Sequence, residues 1–123
     1  MTHLPPDLRA HFDRCVAAPV PPAAELPQLV RDHLAEMQRA ARQSETLPVD
    51  LAEDISRGLL TLLADAAGLS PDELALVHGA ARYFIASDDA RPDLEGPLGL
   101  DDDATVFNYV VAQIGRSDLE VEL

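Results

Sequence analysis

At 123 residues the chain is one domain long and can bury a core; apolar residues make up 47% of it, which argues against a disordered segment. Aromatic residues are 4% with no Trp, so the interior must be built from Leu, Val, Ile and Ala, a palette that favours packed helices over stacked sheets. The formal charge of −13 repels phosphate backbones and anionic lipid headgroups, which argues against nucleic acid and membrane surfaces as partners and leaves basic proteins and cations.

Residues 5–18, "PPDLRAHFDRCVAA", predict a short helix with Leu8, Phe12 and Cys15 or Val16 on one face and prolines in its first turn. "PVPPAAELP" follows as an extended linker. A second helix over residues 27–43 carries the stripe Leu26, Leu29, Val30, His33 or Leu34, Met37 and Ala41. The third, residues 48–67, is the most apolar and is expected at the centre, with Gly68 as a left-handed C-terminal cap. Ser70, Pro71 and Glu73 spell a capping box for a fourth helix over residues 71–86, with Leu74, Val77, Ala81, Phe84 and Ile85 facing inward. A fifth helix is expected over residues 103–114, burying Val106, Val110 and Ile114, and "RSDLEVEL" reads as a loose tail. No window alternates with period two. The expectation is an all-α, single-domain bundle of about five helices with a rigid acidic loop between helices four and five. Residues 1–26 are read as the short first helix and linker, 27–114 as the helical core, and 115–123 as the tail.

Chemistry-bearing motifs are few. No histidine has a second His at helical ligand spacing, and no nucleophile elbow or glycine-rich phosphate loop occurs. His11 and Cys15 are four apart, a spacing that pairs a thiol with a base, but Cys15 also falls on the apolar face, where a buried thiol is ordinary. As the single cysteine it forms no intrachain disulfide. The N-terminus lacks a secretory pattern and no apolar run is long enough to span a bilayer, so a cytoplasmic protein is expected, and enzymatic activity is not.

The concentrated signal is residues 87–107, "SDDARPDLEGPLGLDDDATVF", with seven carboxylates and one arginine. The spacing fails the EF-hand pattern. Asp101, Asp102 and Asp103 precede the fifth helix, where one would cap its free N–H groups and the others favour the positive end of its dipole. Asp89 and Asp93 suit Asx-turns. Capping plus solvated charge is one reading. A Mg²⁺ or Ca²⁺ site on Asp89, Asp93, Asp102 and Asp103 is the other, as is an acidic docking surface, with Arg82, Arg91 and Arg116 as internal counter-ions.

This segment resembles the signature of the YkvA-like family, small bacterial proteins classed as a domain of unknown function. Tyr83 and Phe84 take its opening positions, and Asp89, Pro92 and Asp93 its Asp-x-x-Pro-Asp positions. Gly99 then arrives in register, with Asp102 and Asp103 as the paired aspartates. Ser87 stands where the family has Pro, and Asp88, Ala90, Arg91 and Glu95 replace its apolar positions, so this version is polar and favours a soluble form. The resemblance implies a helix–loop–helix hairpin with aspartates held in place, and no activity that carries over. The leading expectation is a non-enzymatic protein–protein interaction or regulatory module with a basic partner. The alternative is a divalent-cation-binding domain, regulatory or part of a metal-dependent hydrolase. Self-association through exchange of the first helix is a third.

Overall fold

The computed structural model is a helical bundle of α1 (Pro6–Ala17), α2 (Leu26–Ala41), α3 (Val49–Ala64), α4 (Pro71–Ala90) and α5 (Pro97–Gln113). It describes residues 4–18, 21–42, 49–90 and 97–121, with side chains up to 85 and again from 102. Among the described residues there is no strand, and 3₁₀ turns occupy Ala23–Glu25, Ala66–Gly68 and Ser117–Leu119.

The apolar spacing places the core. Leu8, Phe12 and Cys15 are buried on α1, Leu26, Val30, His33 and Met37 on α2, and Ile55, Leu59 and Leu62 on α3. Val77, Ala81 and Phe84 from α4 and Val106, Phe107, Val110 and Val111 from α5 close it. Burial of side chains this size contributes roughly 1.5–3 kcal/mol each, which sets these stripes as the main source of stability.

α3, α4 and α5 pack on one another; α1 lies on α4 and α5, and α2 on α3 and α4. The central helix is therefore α4, which touches all four others, rather than the more apolar α3. Small residues explain this: Gly79, Ala80 and Ala81, all buried, let neighbours approach the α4 backbone from several sides. A β-carbon at Gly79 would overlap the Val16 side chain and meet the Val16 Cα at 3.2 Å, so α1 crosses α4 nearly in backbone contact. Gly58 on α3 plays the same part for α5, since a β-carbon there would enter the ring of Phe107.

Helix ends follow local chemistry. Ser70 N donates to Glu73 Oε1 at 2.9 Å and Glu73 N donates to Ser70 Oγ at 3.2 Å, the reciprocal capping box expected. Gly115 ends α5 with φ +75°, and its C-terminal carbonyls are closed by Arg116 N to Val111 O at 2.7 Å and Gly115 N to Ala112 O at 3.4 Å, a Schellman motif. Gly68 is no such cap. Its φ is not positive, and it closes a 3₁₀ turn by donating to Asp65 O at 2.9 Å.

Two expectations are corrected. Helix α4 runs to Ala90 and α5 starts at Pro97, so only residues 91–96 separate them and the loop is far shorter than residues 87–102. Pro97 is itself a fitting first residue, because its missing N–H falls where no intrahelical partner exists. The C-terminal segment is docked rather than loose. Asn108 Nδ2 donates to Val121 O and Val121 N donates to Asn108 Oδ1, both at 2.9 Å, while Leu119 and Val121 pack half-buried against the core.

Candidate functional site

The early start of α5 moves Asp102 and Asp103 into its second turn, where neither can be the N-cap. Asp103 is buried, at 3% exposure, on the face that carries Val106, Phe107 and Val110 three, four and seven residues on; Asp102 is half-buried beside it. Asp89 lies in the last turn of α4 by its backbone, and Asp93 lies outside the described residues. Among the described residues, no three His, Cys, Asp or Glu side chains are grouped to hold a metal ion.

Two of the three arginines expected to neutralise this segment have other engagements. Arg82 Nε donates to Pro21 O at 3.0 Å and Nη1 to Cys15 O at 3.3 Å, so a charge on α4 satisfies an end carbonyl of α1 and fastens the proline-rich linker. Arg116 pairs with Asp65 at 3.3 Å and Asp118 at 3.4 Å, and these two hydrogen bonds, Asp65 first, hold its pKa above the usual arginine value. Arg91 lies outside the described residues.

Among the described residues, none of the other polar groups gathers into a reactive constellation. The His11 ring lies against Tyr83 at 4.8 Å, and His33 stands edge-on to Phe84 at 4.8 Å, so both serve as aromatic packing. Burial pushes the Cys15 thiol up, with Arg14 and Arg82 opposing, which keeps it the neutral thiol at physiological pH. Burial, aided by Arg82, pushes His78 down. Arg9 donates to the Tyr109 hydroxyl at 3.0 Å and also lies 5.5 Å from the ring centroid, tying α1 to α5. A shallow pocket of about 480 Å³ opens beside Asp65, Gly68, Leu69, Glu73, Ile114 and Arg116. Its charged groups are already engaged: Glu73 in the capping box, and Arg116 and Asp65 with each other.

What distinguishes the surface is where its charge falls. Residues 1–48 carry five Arg against six Asp and Glu, a net of −1; residues 49–123 carry four Arg against sixteen, a net of −12. Helices α1 and α2 are thus near neutral and cover parts of an acidic unit made of α3, α4 and α5. Among the described part of residues 49–123, Asp50, Asp54, Asp65, Asp72, Asp118 and Glu120 are exposed.

The roles of Arg82 and Asn108 were missed in the sequence, yet each had a signal. Arg82 interrupts the buried run Ala80, Ala81, Tyr83 and Phe84, with no acidic residue three or four positions away. Asn108 stands between buried Phe107 and Tyr109 in mid-helix, where its side chain competes with the helix backbone and needs another partner.

No helix among the described residues is long and apolar enough to cross a membrane. The chain matches no family model, no curated protein and no solved structure.

Proposed function

We propose that this chain is a non-catalytic protein–protein interaction module, and that the acidic unit of α3, α4 and α5 docks a basic partner. The observation that carries the reading is the division of charge, −12 on residues 49–123 against −1 on residues 1–48. A single-signed surface steers an oppositely charged protein and repels like-charged ones, so it sets association rate and partner choice. The resemblance of residues 83–107 to the YkvA-like signature belongs to the same proposal, and the acidic α4–α5 connection is the part of the chain to test first. A cytoplasmic setting is part of it too.

The test uses the whole chain as bait. A basic protein is recovered at low salt and released as ionic strength rises through the physiological range, because exposed charge pairs are screened beyond about 8 Å at 0.15 M. Neutralising Asp88, Asp89, Asp93 and Glu95 weakens capture tenfold or more, and neutralising Asp7, Asp13, Asp32 and Glu36 on α1 and α2 leaves it unchanged. A bait that returns alone, or equal losses from the two sets, refutes the reading.

A second reading is a Mg²⁺ or Ca²⁺ site on Asp89, Asp93, Asp102 and Asp103, suggested by the crowding of carboxylates in residues 88–103 of the sequence. It predicts a higher Tm in millimolar cation than in EDTA, since a ligand selective for the folded state stabilises it; identical melts remove it.

A further inference from the structure

We infer that the pocket where α3 and α5 end and α4 begins seats a single arginine side chain presented by the basic partner. The inference rests on the reading of the acidic unit as that partner's docking surface. It adds an anchor at the opposite end of the 20-residue helix α4 from its connection to α5, about 30 Å away.

Three observations build the seat. Ala64, Ala67, Leu69 and Ile114 line it and offer an apolar bed to the methylene stem of a long cationic side chain. The carboxylates of Asp65 and Glu73 stand at the same opening. Asp65 accepts from Arg116 at 3.3 Å and Glu73 from the Ser70 N–H at 2.9 Å. A carboxylate has about four lone-pair sites, so each keeps capacity for a further donor. Third, the volume of about 480 Å³ falls in the range of small-ligand sites, and the pocket is shallow, which suits a side chain carried on another surface better than an enclosed free molecule.

The charges around the pocket set the sign of its ligand. Three carboxylates, Asp65, Glu73 and the Asp118 that pairs with Arg116, stand against the one guanidinium of Arg116. The negative ends of the α3 and α5 dipoles meet at the same place. The one positive end, that of α4, already carries Asp72 and Glu73 in its first turn. An anion is therefore disfavoured, although Arg116 lines the pocket. Arginine fits better than lysine because its guanidinium is flat, weakly hydrated and forks onto two acceptors. Arg116 itself displays that mode, with Nη1 on Asp65 at 3.3 Å and Nε on Asp118 at 3.4 Å.

The experiment titrates the full chain with end-blocked glycine peptides carrying one central arginine, lysine or citrulline, and follows backbone amide chemical shifts. The arginine peptide is expected to shift the amides of Gly68, Leu69 and Ile114 saturably, the lysine peptide to bind at least threefold more weakly, and the neutral citrulline peptide at least tenfold. Asp65→Asn with Glu73→Gln, which leaves a glutamine able to close the capping box, should weaken arginine binding at least tenfold. Asp50→Asn with Asp54→Asn removes the same charge near the start of α3 and should change it less than twofold. Arg116→Gln removes a competing cation and should tighten it. If the Asp65→Asn, Glu73→Gln chain does not fold by circular dichroism, Glu73→Gln alone decides, with a loss of at least threefold expected. Shifts spread evenly over the acidic helices, equal binding of the citrulline peptide, equal losses from the two double variants, or weaker binding on Arg116→Gln overturn the inference. A chain that fails these tests yet captures a basic partner, and releases it when Asp88, Asp89, Asp93 and Glu95 are neutralised, loses only the seat; one that captures no basic partner loses the docking reading as well.

Discussion

The two ends of the chain use the same helical material to opposite effect. Helices α3, α4 and α5 pack mutually, interlocked where the Phe107 ring fills the space over Gly58, and residues 49–123, which hold them, carry −12 of the net charge of −13. Helices α1 and α2 each pack on that unit rather than chiefly on one another, and they are nearly neutral. Helix α1 is held by extensive packing on α4, through buried Leu8, Phe12 and Cys15 and the crossing at Gly79, and by the Arg82 bonds to Cys15 and Pro21 and the Arg9 bond to Tyr109. The difference teaches that cohesion and charge need not be shared evenly. Neutral helices supply apolar cover, and the acidic helices keep their remaining faces for solution.

Substitutions that test this division rank by how deeply they cut into the acidic unit. Phe107→Ala removes a ring buried between α3 and α5 and should cost about 3–5 kcal/mol in urea unfolding. Gly58→Ala forces the same ring aside and should cost about 1–3 kcal/mol. Gly79→Ala should cost about as much, because its new β-carbon would overlap the Val16 side chain and press on the Val16 Cα, while the helix-propensity gain of up to about 1 kcal/mol is common to both glycines. A clearly smaller cost at Gly79 would show that α1 is an adjustable cover on a locked unit. Arg82→Met should cost about 1–2 kcal/mol, below the usual value for two charge-assisted bonds because Arg82 is half-exposed. Its diagnostic is faster amide exchange confined to α1; a uniform rise across all helices would show that α1 opens only with the whole fold.

Ser70→Ala should cost about 1 kcal/mol by opening the capping box at the start of α4. The smallest effect concerns His78, whose pKa is pushed below 6.5 by burial and by Arg82. The unfolded chain then binds more protons than the folded one as pH falls, so the stabilisation is present above pH 6.5 and is lost as pH drops through the folded value. His78→Gln should flatten the fall in stability between pH 7.5 and 5.5. A slope unchanged by that substitution assigns the acid sensitivity to other groups.

The sequence was most legible where a few adjacent residues decide the outcome. Ser70 and Glu73 needed nothing outside one turn to make their reciprocal bonds, and Gly115 alone meets the left-handed φ that closes α5. The buried stripes of α1 and α2 were equally readable, since period and burial coincide. The start of α5 was not. Three successive aspartates have the composition of an N-terminal cap, while Pro97, in a stretch rich in proline and glycine, looks like part of a loop. Placing Asp103 in the core needed a competing signal, its three- and four-residue spacing to Val106 and Phe107, to outweigh its charge. Arg82 and Asn108 act over separations of 61 and 13 residues, and no local pattern encodes the carbonyls they meet. Of the four aspartates proposed as a site, Asp102 and Asp103 fall together on α5, and that proximity followed from adjacency alone.

The lone cysteine acquires a use from this arrangement. Cys15 is sealed under α1 at 7% exposure, with its thiol kept neutral by burial and its own carbonyl held by Arg82. Lifting of α1 from α4 would expose the sulfur to an alkylating reagent, so the labelling rate should rise with any change that loosens this helix. The wild-type chain thus carries its own clock for the motion of its first helix.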